Sequence, residues 1–179
     1  MLDDVVAALR GGGIADVRIL AGDAAAAEAA RARGLPTVPD PAEGGLRSAV
    51  DAGLAAVGDA GVRLVVAADL PGLDAGTVAD LLAMADRVTV LPTPDGGTAV
   101  LALPPGVTPA ARYGPGSAAL HVAAARDVGA AAVLLAPGAA GRDLDGPGDL
   151  AVARDTAVGP ATGATLRDDG PHDAPRRRT

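Results

Sequence analysis

An α/β fold built on a mostly parallel sheet is what this sequence predicts, and three observations carry that expectation. Short runs rich in Val, Leu and Ile alternate with longer stretches whose apolar residues recur at helical spacing. One such run, Leu64-Val65-Val66-Ala67, passes into Ala68-Asp69-Leu70-Pro71. It reads as a buried strand that delivers one carboxylate to the edge of a sheet before a proline, with no N–H to donate, ends the ladder. The chain of 179 residues, 49% of them hydrophobic, is long enough for one domain with its own core and shows no internal repeat.

The elements follow in order. Met1 to Leu9 has Leu2, Val5, Val6 and Leu9 on one side of a helix that Gly11-Gly12-Gly13 ends. Val17 to Leu20 is a short strand. A helix of mostly alanine runs from Ala24 to Arg33, with Gly34 as its stop. Thr37-Val38 is a small strand before the Pro39-Asp40-Pro41 turn. Gly44-Gly45-Leu46 opens a helix whose stripe is Leu46, Val50, Leu54 and Val57. After the strand ending at Asp69, Asp74 is placed to cap a helix carrying Val78, Leu81, Leu82 and Ala85. Val88 to Leu91 and Thr98 to Leu103 are strands separated by the turn Pro94-Asp95-Gly96-Gly97. Tyr113-Gly114-Pro115-Gly116-Ser117 opens a further helix, with Ser117 in the expected N-cap position and Leu120, Ala124 and Val128 as its stripe. Ala131 to Leu135 is a strand, Arg142-Asp143-Leu144-Asp145 an extended piece, and Gly148 to Arg154 a last helix. A single domain over 1–158 is therefore expected. From Gly159 onward the chain is Gly, Pro, Asp and Arg with few large apolar residues, which predicts a disordered tail over 159–179, its Arg176-Arg177-Arg178 run solvated.

Composition narrows the function. A formal charge of −7 argues against a nucleic-acid partner, because a polyphosphate backbone calls for a basic face. A single nucleotide is still compatible, since a metal ion, backbone N–H groups and a few arginines can meet its charge. With no cysteine there is no disulfide framework, thiolate nucleophile or thiolate metal site. No apolar run approaches the length of a membrane span, and no signal peptide is visible at the start, which predicts a soluble cytoplasmic protein.

Three carboxylates stand out as candidates for chemistry. Asp69 ends the central strand, where ligands bind in open α/β sheets, though capping of the following turn would explain it equally well. Asp143 and Asp145 lie two apart, so on an extended piece they point the same way and can converge on one ion; the plainer reading is a solvated turn beside Asp149 as a helix cap. Carboxylates from separate strands suit magnesium, a hard cation that takes oxygen ligands and keeps several waters. The loop at Tyr113–Ser117 is a candidate anion site, with backbone that can approach a ligand closely, although an ordinary helix start has the same residues. Gly96-Gly97-Thr98 is a shorter signal of the same kind. His121, one turn into the helix after Ser117, is placed to face that site or simply to fill the core.

Taken together, Ala-Asp-Leu-Pro at 68–71, Gly-Gly-Thr at 96–98, Tyr-Gly-Pro-Gly-Ser at 113–117 with His121, and Asp-Leu-Asp-Gly-Pro-Gly-Asp-Leu at 143–150 resemble the 2-phospho-L-lactate guanylyltransferases, also described as phosphoenolpyruvate guanylyltransferases. The order and spacing match from Met1 to about Arg154. The resemblance implies a Rossmann-like α/β/α sandwich of the nucleotide-diphospho-sugar transferase type. It also implies a reaction in which the phosphate of phosphoenolpyruvate or phospholactate attacks the α-phosphate of GTP and pyrophosphate leaves, in biosynthesis of a deazaflavin redox coenzyme. By that resemblance Asp69, with Asp143 or Asp145, holds magnesium; Thr98, Gly114 and Ser117 hold the three-carbon phosphate; and Gly44, Gly45 and Leu46 lie on the nucleobase side.

The chain departs from the family pattern in three places. Arg47 stands where the family usually has Asn after Gly-Leu, and Ala99 where it usually has Asn after the threonine, so two amides able both to donate and to accept are gone. Family members also begin with a strand and a Lys/Arg-bearing loop ahead of the helix at Met1–Leu9. Without that strand, the Val17–Leu20 and Leu64–Ala67 strands are expected to lack a shared neighbour, leaving backbone groups unpaired at a cost in stability or activity. Two other functions are therefore carried alongside: a related nucleotidyltransferase with another acceptor, and a catalytically impaired nucleotide-binding remnant.

Overall fold

The computed structural model describes residues 1–39, 45–144, 149, 152–153 and 157–168. Helix α1, Leu2–Gly11, has Asp3 and Asp4 in its first turn and Arg10 in its last, a charge order that complements the helix dipole. Strand β1 (Ile19–Ala21) leads to helix α2 (Ala24–Arg31), where the Asp23 carboxylate accepts the Ala26 N–H at 2.7 Å. Strand β2 (Thr37–Pro39), helix α3 (Gly45–Val57) and strand β3 (Arg63–Val66) follow. Helix α4 (Ala75–Ala83) is capped as expected, with Asp74 accepting the Thr77 N–H at 2.7 Å. Strands β4 (Val88–Pro92) and β5 (Thr98–Leu103), helix α5 (Ser117–Asp127), strand β6 (Ala132–Leu134), a 3-10 turn at Ala139–Gly141 and helix α6 (Pro160–Asp168) complete the order.

The expected α/β class holds, with one strand reversed. The larger sheet has the order β3-β5-β4-β6, in which β4 and β6 are parallel while β5 is antiparallel to both of its neighbours. Chain length explains the reversal. Only Thr93–Gly97 joins β4 to β5, far too short for a parallel crossover. The Gly96 N–H donates to the Thr93 carbonyl at 3.0 Å and the Thr93 N–H to the Gly97 carbonyl at 3.1 Å, which closes a hairpin. Helices cover both faces. Val5, Leu9, Leu70, Val78, Leu81 and Val100 form one core under α1 and α4. Val50, Leu54, Val90, Leu101, Leu103 and Val122 form the other, beneath α3 and α5.

Strands β1 and β2 pair in parallel as a separate two-stranded sheet. Between β1 and β3 lies a cavity of about 540 Å³. Its side walls are Ile19 and Leu20 of β1 and Leu64–Val66 of β3, and α1 (Val5, Val6, Leu9) and α3 (Val50, Leu54) also line it. The Ala67 N–H bonds to the Ala99 carbonyl at 3.0 Å, so in an antiparallel ladder Val65 and Ala67 face β5 and the backbone groups of Leu64 and Val66 face the cavity.

The chain beyond Gly159, expected to be disordered, instead forms α6 over Pro160–Asp168. Its anchor lies at the other end of the sequence. The Asp4 carboxylate, 4% exposed, accepts the Ala161 N–H at 2.9 Å and the Thr162 N–H and hydroxyl, each at 2.6 Å. Burial pulls the Asp4 pKa up, but the Thr162 hydroxyl and the two N–H groups outweigh it and hold the carboxyl below its usual value. A reading that weighs a segment by its own apolar residues misses a cap supplied from α1. Of the expected helix at Gly148–Arg154, Asp149, Val152 and Ala153 are helical and the rest lies outside the described residues, as does the Arg176–Arg178 run.

Two outcomes follow from these contacts. Asp4→Ala should lower stability to urea by about 1–3 kcal/mol and expose Arg167 to trypsin, since it removes a charged cap with three bonds. Native hydrogen exchange should be faster at the Leu64 and Val66 amides than at Val65 and Ala67, with equal protection at all four contradicting the open edge.

Candidate active site

Strand β5 begins at Thr98 and helix α5 at Ser117, and the two hydroxyls meet at 2.9 Å. The Thr98 Oγ1 is also 3.0 Å from Nδ1 of His121, and His121 Nε2 accepts the backbone N–H of Arg112 at 3.0 Å. Two of the three predicted acceptor-site residues are therefore in direct contact, with His121 behind them. His121 is fully buried, and its ring meets Tyr113 edge-on with centroids 4.8 Å apart. Burial and the charge of Arg112 together lower the His121 pKa to about 4, against a smaller pull upward from the Ser117 backbone. The imidazole is neutral at pH 7.

The glycine-rich loop differs in detail from the sequence expectation. Ser117 is the first helical residue, and the N-cap is Gly116 in the left-handed conformation at φ 67°. The third predicted acceptor residue, Gly114, accepts the Ser117 N–H at 3.1 Å, and the Ala118 N–H reaches the Gly96 carbonyl at 3.3 Å. Those first amides of α5 are engaged within the fold, so the hydroxyls gain importance as ligand donors over the helix N-terminus itself. The Tyr113 hydroxyl is buried with no partner among the described residues, and burial pushes its pKa well up. Thr98 and Tyr113 also line the cavity between β1 and β3.

Asp69 stands half-buried in the turn directly after β3. The antiparallel register brings that end of β3 to the start of β5, where Thr98 lies. Asp143 is half-buried in the segment after the 3-10 turn. The two loops approach each other closely: a side chain at Gly72 would bring its Cβ within 2.5 Å of the Ala139 carbonyl oxygen. Asp145 lies outside the described residues. Among the described residues no three acidic or histidine side chains gather as a metal cluster. Carboxylate oxygens on two adjoining loops are nonetheless the hard donor type that magnesium takes, so the residues present fit that ion.

Of the residues that the resemblance assigns to the nucleobase, Gly44 lies outside the described residues, while Gly45 opens α3 and Leu46 is 58% exposed. Arg47, where the family has an amide, donates from Nε to the Tyr113 carbonyl at 3.4 Å. This contact holds the start of α3 against the glycine-rich loop. Sequence reasoning named His121 but missed its link to Arg112 and Tyr113, because two of the three contacts are made by backbone N–H or ring geometry, which leave no residue signature.

The buried imidazole gives a signed pH dependence. An unfolded His121 takes up a proton near pH 6.5, while the folded one refuses it until about pH 4. Stability should therefore fall as pH drops from about 6.5 to 4. Urea unfolding across that range should show this slope in the wild type and a shallower one in His121→Phe.

Comparison with known proteins agrees with this architecture. Residues 1–144 match the family model of the MobA-like NTP transferase domain. The phosphoenolpyruvate guanylyltransferase of Salinispora arenicola is 38% identical over 166 residues, 90% of this chain and 75% of that protein. That of Streptomyces coelicolor is 37% identical over 169 residues, covering 90% and 78%. The 3-phospho-D-glycerate guanylyltransferase of Phenylobacterium zucineum is 32% identical over 177 residues, covering 94% and 81%. A crystal structure from Desulfovibrio desulfuricans, described as a nucleotide-diphospho-sugar transferase, superposes with a TM-score of 0.68 at 19% identity, over 94% of this chain and 80% of that one. That likeness supports the α/β/α fold. The family match and the identities to these relatives establish that the chain belongs to the guanylyltransferases of the MobA-like NTP transferase family.

Proposed function

We propose that this chain transfers GMP from GTP to phosphoenolpyruvate or a close three-carbon phosphate such as 2-phospho-L-lactate, with release of pyrophosphate, in deazaflavin coenzyme biosynthesis in the cytoplasm. The observation that carries the reading is the Thr98–Ser117 hydroxyl pair, backed by buried His121 at the strand end next to Asp69. A phosphate oxygen of the acceptor attacks the α-phosphorus of GTP. The bond to the bridging oxygen breaks, and pyrophosphate leaves with the electron pair. No covalent enzyme intermediate is needed, so the protein's work is positioning and charge neutralisation.

Thr98, Ser117 and the backbone around Gly114 hold the small phosphate. The start of α3 at Gly45-Leu46, with Gly44 before it, meets the nucleobase. Asp69 and Asp143, with Asp145, would hold magnesium. Bound there, the ion supplies positive charge to offset the triphosphate.

Incubation with GTP, magnesium and each of phosphoenolpyruvate, 2-phospho-L-lactate and 3-phospho-D-glycerate tests the reading by pyrophosphate release and product mass. One of the first two acceptors should be guanylylated. Turnover of 3-phospho-D-glycerate alone would move the acceptor to that of the Phenylobacterium relative. GTP binding without transfer would favour the impaired remnant, a reading supported by the open edges of β1 and β3. Asp69→Asn should lower the transfer rate by about a hundredfold or more while leaving the fold intact by circular dichroism.

A further inference from the structure

The polar network around His121 contains one donor of fixed direction, and that donor sets the tautomer of the ring. The N–H of Arg112 can only donate. Its bond to His121 Nε2 at 3.0 Å therefore requires a bare lone pair on Nε2. A neutral imidazole bare at Nε2 carries its hydrogen on Nδ1. Thr98 Oγ1, 3.0 Å from Nδ1, must then accept. With Nδ1 protonated, neither hydroxyl can donate to the ring, and the two lie 2.9 Å apart. One of their protons makes the bond between them. The other is left over, with no acceptor for it among the hydrogen bonds of the described residues.

We infer that His121 is a positioning residue: by donating from Nδ1 to Thr98 it locks a hydroxyl relay in which the Thr98–Ser117 pair always keeps one proton to give to an incoming anionic oxygen. The inference rests on the acceptor reading above and adds a polarity to it. Were Nδ1 bare, Thr98 would donate to the ring and Ser117 to Thr98, and no hydroxyl proton would remain for a ligand. With the ring fixed, the pair is a net donor, which suits a carboxylate or phosphate oxygen. The site is prepared for an anion before the anion arrives, so the ordering cost is met during folding. The neutral state of the ring belongs to the same logic, because a proton on Nε2 would face the Arg112 N–H. Its burial and the nearby Arg112 charge both keep that proton off. The edge-on contact with Tyr113 restrains the ring plane.

Nitrogen-15 NMR of labelled histidine, with His121→Phe assigning the signal, reads the relay directly. At neutral pH the expected tautomer is protonated at Nδ1 and bare at Nε2; the reverse would overturn the inference. Calorimetric titration with phosphoenolpyruvate reads its effect. His121→Phe and Ser117→Ala should each weaken binding by about tenfold, the worth of one lost bond to a charged group. The double variant should lose little more, since both changes break one chain, while GTP affinity stays unchanged. His121→Asn, which keeps a side-chain N–H, should recover part of the loss. Additive losses, or equal losses for GTP, would reject the positioning role. If the wild type binds no phosphoenolpyruvate, the acceptor reading fails on its own, and the tautomer still decides whether the relay exists.

Discussion

The hairpin between β4 and β5 is the constraint on which the rest of this structure depends. A connection limited to Thr93–Gly97 cannot cross over a sheet, so β5 must return antiparallel and insert between β3 and β4. Reversal has a chemical consequence. Parallel strands bring their carboxyl ends, and the loops that follow, to one side of the sheet. A reversed strand brings its first residue there instead. Thr98 thus arrives beside the end of β3, where Asp69 lies, and next to the start of α5, where Ser117 lies. The same strand joins β3 to the rest of the sheet and supplies residues to both cores.

Much of this was legible in the residues. Strand β5 runs over Thr98–Leu103 as its apolar pattern predicts, and the caps at Asp23 and Asp74 are local signals with local partners, although only the second was read. The direction of β5 was available in Pro94-Asp95-Gly96-Gly97, a turn too short for a crossover; the alternation of strands and helices outweighed it in the reading. The hydroxyls at 98 and 117 are in contact. What the sequence hid is carried by backbone. Arg112 enters the network through its N–H, and Gly114 and Gly96 take up the first amides of α5 through their carbonyls. Any residue type could make those bonds, so no pattern announces them. The tail was misread for a related reason: the partner of Thr162 is Asp4, 158 residues away.

The gap between β1 and β3 has the opposite character. It was expected only through likeness to a family, yet physical reasoning identifies its shape without that likeness. Two strand edges and two helical faces bound a largely apolar space. Edges of this kind recruit other strands when left open. Its neighbours Thr98 and Tyr113 belong to the candidate site, so whatever fills or narrows the cavity also bears on the acceptor pocket.

The Asp4 clamp on α6 sets a timetable. A ribosome makes α1 well before α6, so the carboxylate that caps α6 waits for the 158 residues between Asp4 and Thr162 to emerge. Until then Asp4 stays hydrated, and α1 can rest on α4 without its final contact. Closing so distant a pair is among the slowest kinds of step in a small domain. The bond therefore closes only once both segments exist, and a chain cut before Pro160 keeps Thr98 and Ser117 while lacking the piece that fastens α1.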